Sequence, residues 1–177
     1  VCDNSGNITS IKDVSGINLR ISRQIKGCAD RIISELYAEK LQSIIIAGPP
    51  SSGKTTVLRD AVRQLSSDKY FYKVALVDER QEIASVNSGI PQNDIGVNCD
   101  ILDGYPKKEA MMIALKTMSP DIIALDEVGE ETEIEAIRLA VNSGVRFIVT
   151  VHAADYNELL HRPQIKKLIE TWGDFYK

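Results

Sequence analysis

Ile44-Ile45-Ile46-Ala47-Gly48-Pro49-Pro50-Ser51-Ser52-Gly53-Lys54-Thr55 is the stretch from which the rest of the chain is read. The four apolar residues predict a short buried strand. The next eight, Gly48–Thr55, fit G-x-x-x-x-G-K-[ST] in full, and a helix is predicted from about Lys54 to Leu65. Strand, glycine-rich loop and helix in that order make a phosphate cradle. Glycines let backbone N–H groups close around phosphate oxygens, and the helix N-terminus adds partial positive charge. The residues expected at a nucleotide are Gly48, Pro49, Pro50, Ser51, Ser52, Gly53, Lys54, Thr55 and Thr56. Lys54 is placed on the β- and γ-phosphates of ATP or GTP, and the Thr55 hydroxyl on Mg²⁺. Chance alone yields this pattern in roughly one chain of this length in a hundred, before the flanking strand and helix are counted.

Two further strands end in acids. Ile122-Ile123-Ala124-Leu125 runs into Asp126-Glu127, about 70 residues after the loop. Parallel-sheet sites open at the carboxyl ends of strands, so these carboxylates can lie beside the phosphates. Asp126 is read as a Mg²⁺ ligand and Glu127 as the group that polarises the attacking water. Val74-Ala75-Leu76-Val77 runs into Asp78-Glu79-Arg80. Asp78 is a second candidate metal ligand and Glu79 a second candidate catalytic acid. The competing reading is a surface ion pair between Arg80 and a carboxylate. Thr150-Val151-His152 closes the strand 145–151, and His152 is placed at the same edge, to sense the γ-phosphate or reach a neighbouring subunit. His161 has no such context.

Around these boxes strands and helices alternate, which predicts an α/β fold: a mostly parallel sheet flanked by helices. Ile17, Leu19 and Ile21 alternate with polar residues as in a half-buried strand. Helices are expected over 28–41, with Ile32, Ile33, Leu36 and Tyr37 on one stripe, and over 107–118, 133–142 and about 165–172. Met111, Leu115 and Met118 read as a core stripe, and Gly144 as a helix C-cap. With 21 Lys and Arg against 25 Asp and Glu, the net charge is −4, which gives no bulk argument for nucleic acid. Lys107-Lys108 and Lys166-Lys167 are isolated pairs that read as solvated helix faces. Three widely spaced cysteines, Cys2, Cys28 and Cys99, argue against a disulfide framework or thiolate zinc site and fit a reducing cytosol. The longest apolar run is too short to span a bilayer. The chain opens on Val1 and is expected to be a fragment, with residues 1–26 a linker and 27–177 the nucleotide-binding domain.

Gly48–Thr55, Asp78–Glu82, Ile122–Glu127 and Thr150–His152, in that order, resemble the four boxes of the secretion and pilus-motor ATPases. Within that superfamily, the chain is similar to the sporulation stage III AA family. That match rests on Ile25-Lys26-Gly27-Cys28-Ala29, Val77-Asp78-Glu79-Arg80, Gly89-Ile90-Pro91-Gln92-Asn93-Asp94-Ile95-Gly96, Met118-Ser119-Pro120-Asp121 and Asp126-Glu127-Val128-Gly129. The resemblance implies a phosphate-loop core of the RecA type and ATP hydrolysis with Mg²⁺. It also implies a homo-oligomeric ring on the cytosolic side of a membrane channel complex, in the mother cell, with a further N-terminal domain. Asp126 departs from the motors, which usually carry Gly before the catalytic Glu. The motors bring arginines in from their N-terminal domain, and Arg20 and Arg23 are the candidates here, beside the reading of solvated strand-edge arginines. Two other readings compete: a nucleic-acid motor, for which no basic stripe with aromatics is present, and a nucleotide-switched scaffold with little turnover. Small-molecule kinases share the loop but need a substrate pocket that the sequence does not locate.

Overall fold

The computed structural model describes residues 10–17, 23–38 and 41–172. Five strands form one parallel sheet: β1 Ile44–Gly48, β2 Val74–Asp78, β5 Cys99–Asp103, β6 Ile122–Leu125 and β7 Arg146–His152, in the spatial order β1-β7-β6-β2-β5. A two-residue hairpin, β3 Val86–Asn87 with β4 Ile90–Pro91, lies in the loop between β2 and β5. The helices are α1 Asp30–Ala38, α2 Lys54–Leu65, α3 Lys107–Ile113, α4 Glu131–Val141, α5 Tyr156–His161 and α6 Pro163–Trp172.

β6 is apolar throughout, and β2 and β7 are apolar apart from Asp78 and from Arg146, Thr150 and His152, because both faces of the sheet are covered. Val74, Leu76, Ile122, Ala124 and Ile148 pack with Leu58, Ala61, Val62 and Leu65 of α2 and with Ala29 and Ile33 beside and on α1. Ala75, Val77, Ile123, Leu125, Phe147 and Val149 face the other way, onto α3, α4, α5 and α6. Met111 is fully buried there, with Leu115 and Met118 packed at its margin, as the helical spacing predicts. Phe147 stacks on Trp172, with ring centroids 6.4 Å apart.

Several expectations are corrected. β1 is half-buried, not buried, because it is the edge strand among the described residues. Ile17 is 79% exposed and outside any strand, while Leu19 and Ile21, the rest of the expected 17–21 strand, lie outside the described residues, as do Arg20 and Cys2. The first helix ends by Ala38, short of Leu41, and the side chains of Leu36 and Tyr37 are outside the described set. The helix over 107–118 divides: α3 ends at Ile113 and a π-helical turn, Ala114–Met118, carries the chain to Ser119, whose φ of 48° is left-handed. Pro120 then prevents the helix continuing. After α4, Gly144 at φ 86° donates its N–H to Val141, the predicted C-terminal stop. β5, the hairpin and α5 are elements the sequence reading did not include. Cys28 and Cys99 are free, half-buried thiols. Among the described residues, no helix is long and apolar enough to cross a membrane.

Candidate active site

The strand order places the boxes along one edge. The carboxyl ends of β1, β7, β6 and β2 carry, in turn, the phosphate loop, His152, Asp126-Glu127 and Asp78-Glu79-Arg80. Gly48 and His152 are direct parallel-register partners, and Ala153 donates its N–H to the Gly48 carbonyl.

The loop has the form a phosphate needs. A Cβ on Gly48 would meet Ser52 Oγ at 2.7 Å, so any other residue there would force the Ser52 side chain to turn away. Gly53 begins α2 at φ 91° with no side-chain cap, which leaves the first helical N–H groups to an anion. Lys54 is buried, and its Nζ donates to the Pro49 carbonyl at 2.8 Å and to His152 Nδ1 at 3.2 Å. An ammonium offers only donors, so Nδ1 accepts and the ring proton sits on Nε2, 3.0 Å from Glu127 Oε1. Arg80 pairs with the other Glu127 oxygen. The result is one line of contacts, Lys54–His152–Glu127–Arg80, from β1 across to β2.

Thr55 Oγ1 donates to Asp126 Oδ2 at 2.7 Å. Thr150 links the two acids: its hydroxyl bonds Asp126 and accepts the Glu127 N–H at 2.8 Å. Glu127 is held at φ 52°, a left-handed conformation that costs a non-glycine residue on the order of 1–2 kcal/mol. Burial alone would push its carboxyl up, but His152, Arg80 and Lys107 outweigh this and hold it below the ordinary glutamate range.

Asp78 does not have the geometry of the metal ligand assigned to it. It is 2% exposed, and its two oxygens accept the backbone N–H groups of Glu82, Ile83 and Ala84 at 2.8–3.2 Å. β2 also stands three strand spacings from β1, on the order of 14 Å. Asp78 therefore shapes the loop after β2. Glu79 lies 3.5 Å from Lys107 Nζ, and not against Lys54 or Thr55. The ion-pair reading of Arg80 holds, with Glu127 as the carboxylate. Arg23 is exposed, and its carbonyl accepts from Arg59.

Sequence reasoning passed over Lys107 and Glu133. Lys107 was assigned to a solvated helix face, yet its side chain is 12% exposed, and its Nζ reaches the Glu127 carbonyl at 2.9 Å and Glu133 Oε1 at 3.1 Å. A lysine in the first turn of a helix opposes the helix dipole, but Lys108 shares that turn and is exposed, so sequence alone does not separate the two.

Thr55 and Asp126 fit Mg²⁺. This ion takes one hydroxyl and one or two carboxylates beside nucleotide phosphates and waters, and does not need an all-protein cage.

The fold is that of solved secretion and pilus ATPases. The Legionella pneumophila ATPase DotB superposes with a TM-score of 0.62 at 20% identity, over 87% of this chain and 42% of that one. The pilus retraction motor PilT with bound ADP superposes with a TM-score of 0.59 at 22% identity, over 81% and 42%. In sequence, the chain is 38% identical over 173 residues to stage III sporulation protein AA of Bacillus subtilis (strain 168), covering 96% of this chain and 56% of that protein. It thus spans little more than half the length of that relative. The family model "Sporulation stage III, protein AA" matches residues 1–175, and the chain belongs to that family.

Proposed function

We propose that this chain is the motor domain of a Mg²⁺-dependent ATP hydrolase that powers assembly of, or transport through, a sporulation channel complex at the forespore membrane. The observation that supports it most directly is the line Lys54–His152–Glu127–Arg80, with Thr55 on Asp126, along one sheet edge. The backbone of Gly48–Thr55 and Lys54 hold the phosphates, Lys54 by exchanging Pro49 and His152 for phosphate oxygens. Thr55 and Asp126 would hold Mg²⁺, which would supply neutralisation of phosphate charge. Glu127 orients the attacking water as its proton acceptor, and His152 sits between that carboxylate and the loop lysine. Asp78 and Glu79 are positioning groups in this reading. The domain proper begins at Gly27. Preceding residues reach it through Lys26 on Asp94 at 2.7 Å and Gln24 on the Asp94 carbonyl at 2.6 Å. By resemblance, the protein works as a ring on the cytosolic side of its membrane complex and binds no nucleic acid directly.

The test is nucleotide binding and hydrolysis. Wild type should bind ATP with Mg²⁺ and hydrolyse it without DNA. Lys54→Ala should weaken affinity about tenfold or more, because it removes the cation facing the phosphates. Equal affinities by calorimetry would reject the phosphate-loop assignment.

A further inference from the structure

We propose that Lys107 is a positioning residue for hydrolysis, fixing the backbone of Glu127 and thereby the aim of its carboxylate. The inference rests on the reading of Glu127 as the residue that orients water.

Glu127 occupies a left-handed conformation without the freedom of glycine, so something must hold it there. Both peptide groups flanking its Cα are pinned. Its N–H donates to Thr150 Oγ1 at 2.8 Å, and its carbonyl accepts from Lys107 Nζ at 2.9 Å. The same ammonium meets Glu133 Oε1 at 3.1 Å, and Glu133 Oε2 accepts the N–H groups of Gly129 and Glu130 at 2.9 and 3.0 Å. The Lys107–Glu133 pair therefore clamps the 127–130 segment by one carbonyl and two amides. Glu79, at 3.5 Å, completes the set of acceptors around Nζ. A half-buried lysine in the first turn of α3 is unfavourable for that helix, so the clamp overrides a local preference. Lys107 lies on the β2 side of β6, away from the phosphate loop on β1. Its loss should therefore misaim Glu127 without disturbing nucleotide binding.

The experiment compares Lys107→Met, Lys107→Arg, Glu127→Gln and the Lys107→Met/Glu127→Gln double variant in the full-length protein. It measures kcat, KM for ATP and the affinity for a non-hydrolysable ATP analogue. Lys107→Met should lower kcat about tenfold or more while KM and analogue affinity stay within about twofold. Lys107→Arg, which keeps a cationic donor, should recover part of the loss. In the Glu127→Gln background Lys107→Met should cost nothing further, because it acts through Glu127. If Lys107→Met does not fold, Lys107→Gln replaces it in the same comparison. An inactive Glu127→Gln beside a Lys107 variant with unchanged kcat, or with a loss that adds fully in the double variant, overturns the positioning role alone. An active Glu127→Gln overturns the reading of Glu127 and this inference with it.

Discussion

Glu127 and Glu79 stand at the ends of neighbouring strands, and their surroundings separate them. Glu127 has His152 on one oxygen and Arg80 on the other, and His152 leads directly to the loop lysine. Glu79 has Lys107 at 3.5 Å and no such link. Glu127→Gln keeps the shape but removes the proton acceptor, so ATP should still bind while hydrolysis falls roughly a hundredfold or more. Glu79→Gln should cost much less. Single-turnover hydrolysis of both variants checks this, and the reverse order of effects would move the catalytic acid to the β2 box. Because the folded state holds the Glu127 carboxyl below its ordinary pKa, it takes up its proton at a lower pH than an ordinary glutamate does. Acid loss of turnover due to Glu127 should therefore set in at a lower pH than an unperturbed glutamate would give. His152→Ala, which removes the hydrogen bond that lowers the pKa most, should move that loss to higher pH.

Between elements, the docking of the α1 segment on α2 depends on one buried acid. Asp60 in α2 is 1% exposed and accepts the Ala29 N–H at 2.9 Å, Arg63 at 2.6 Å and Gln64 at 2.9 Å. Burial would raise its carboxyl pKa, but these donors outweigh it and hold the pKa below the ordinary 3.8. A depressed folded-state pKa contributes stability that is present above the unfolded value and lost as pH falls through the folded one. Asp60→Asn should therefore cost about 1–3 kcal/mol near neutrality, with the deficit shrinking below about pH 4. Urea unfolding of both proteins across that range checks it, and a deficit that does not change with pH would assign the loss to packing. Contact between elements is also where the sequence stops being legible. β2, β6 and β7 could be read because strands covered on both faces must be continuously apolar. β5 could not, because Cys99-Asp100-Ile101-Leu102-Asp103 is an edge strand with carboxylates among its apolar residues. The proposed phosphate loop, Gly48–Thr55, is contiguous, so its residues stand together in the sequence. The clamp is not: Lys107 acquires its meaning only beside Glu127 and Glu133, which the fold brings to it from two other elements. Asp78 was misread because a strand-end acid looks the same in sequence whether it faces a metal or caps a loop.

At the scale of the whole molecule, a buried arginine ties the N-terminal segment to the acidic box. Arg59 of α2 donates to the carbonyls of Ile83 at 2.8 Å and Glu82 at 2.5 Å, and to the carbonyl of Arg23 at 3.2 Å. Asp78 holds the N–H groups of the same loop. The segment before α1 and the loop after β2 thus share Arg59, and Arg80 at the start of that loop pairs with Glu127. The sequence reading gave His152 an intersubunit option, but both of its ring nitrogens are engaged within the chain. This separates two effects. If the protein works as a ring, hydrolysis per protomer should rise with concentration as subunits assemble. His152→Ala should lower that activity by the same factor at every concentration, leaving the midpoint of the rise unchanged, because it breaks a contact inside one subunit. The measurement is a dilution series of the full-length wild type and variant, paired with sedimentation in ATP. A shifted midpoint for His152→Ala would place His152 at an interface. Flat activity from a monomer would reject the ring while leaving the reading of the phosphate loop and Glu127 standing, since the contacts described for Lys54, Thr55, Asp126 and Glu127 are made by residues of this chain.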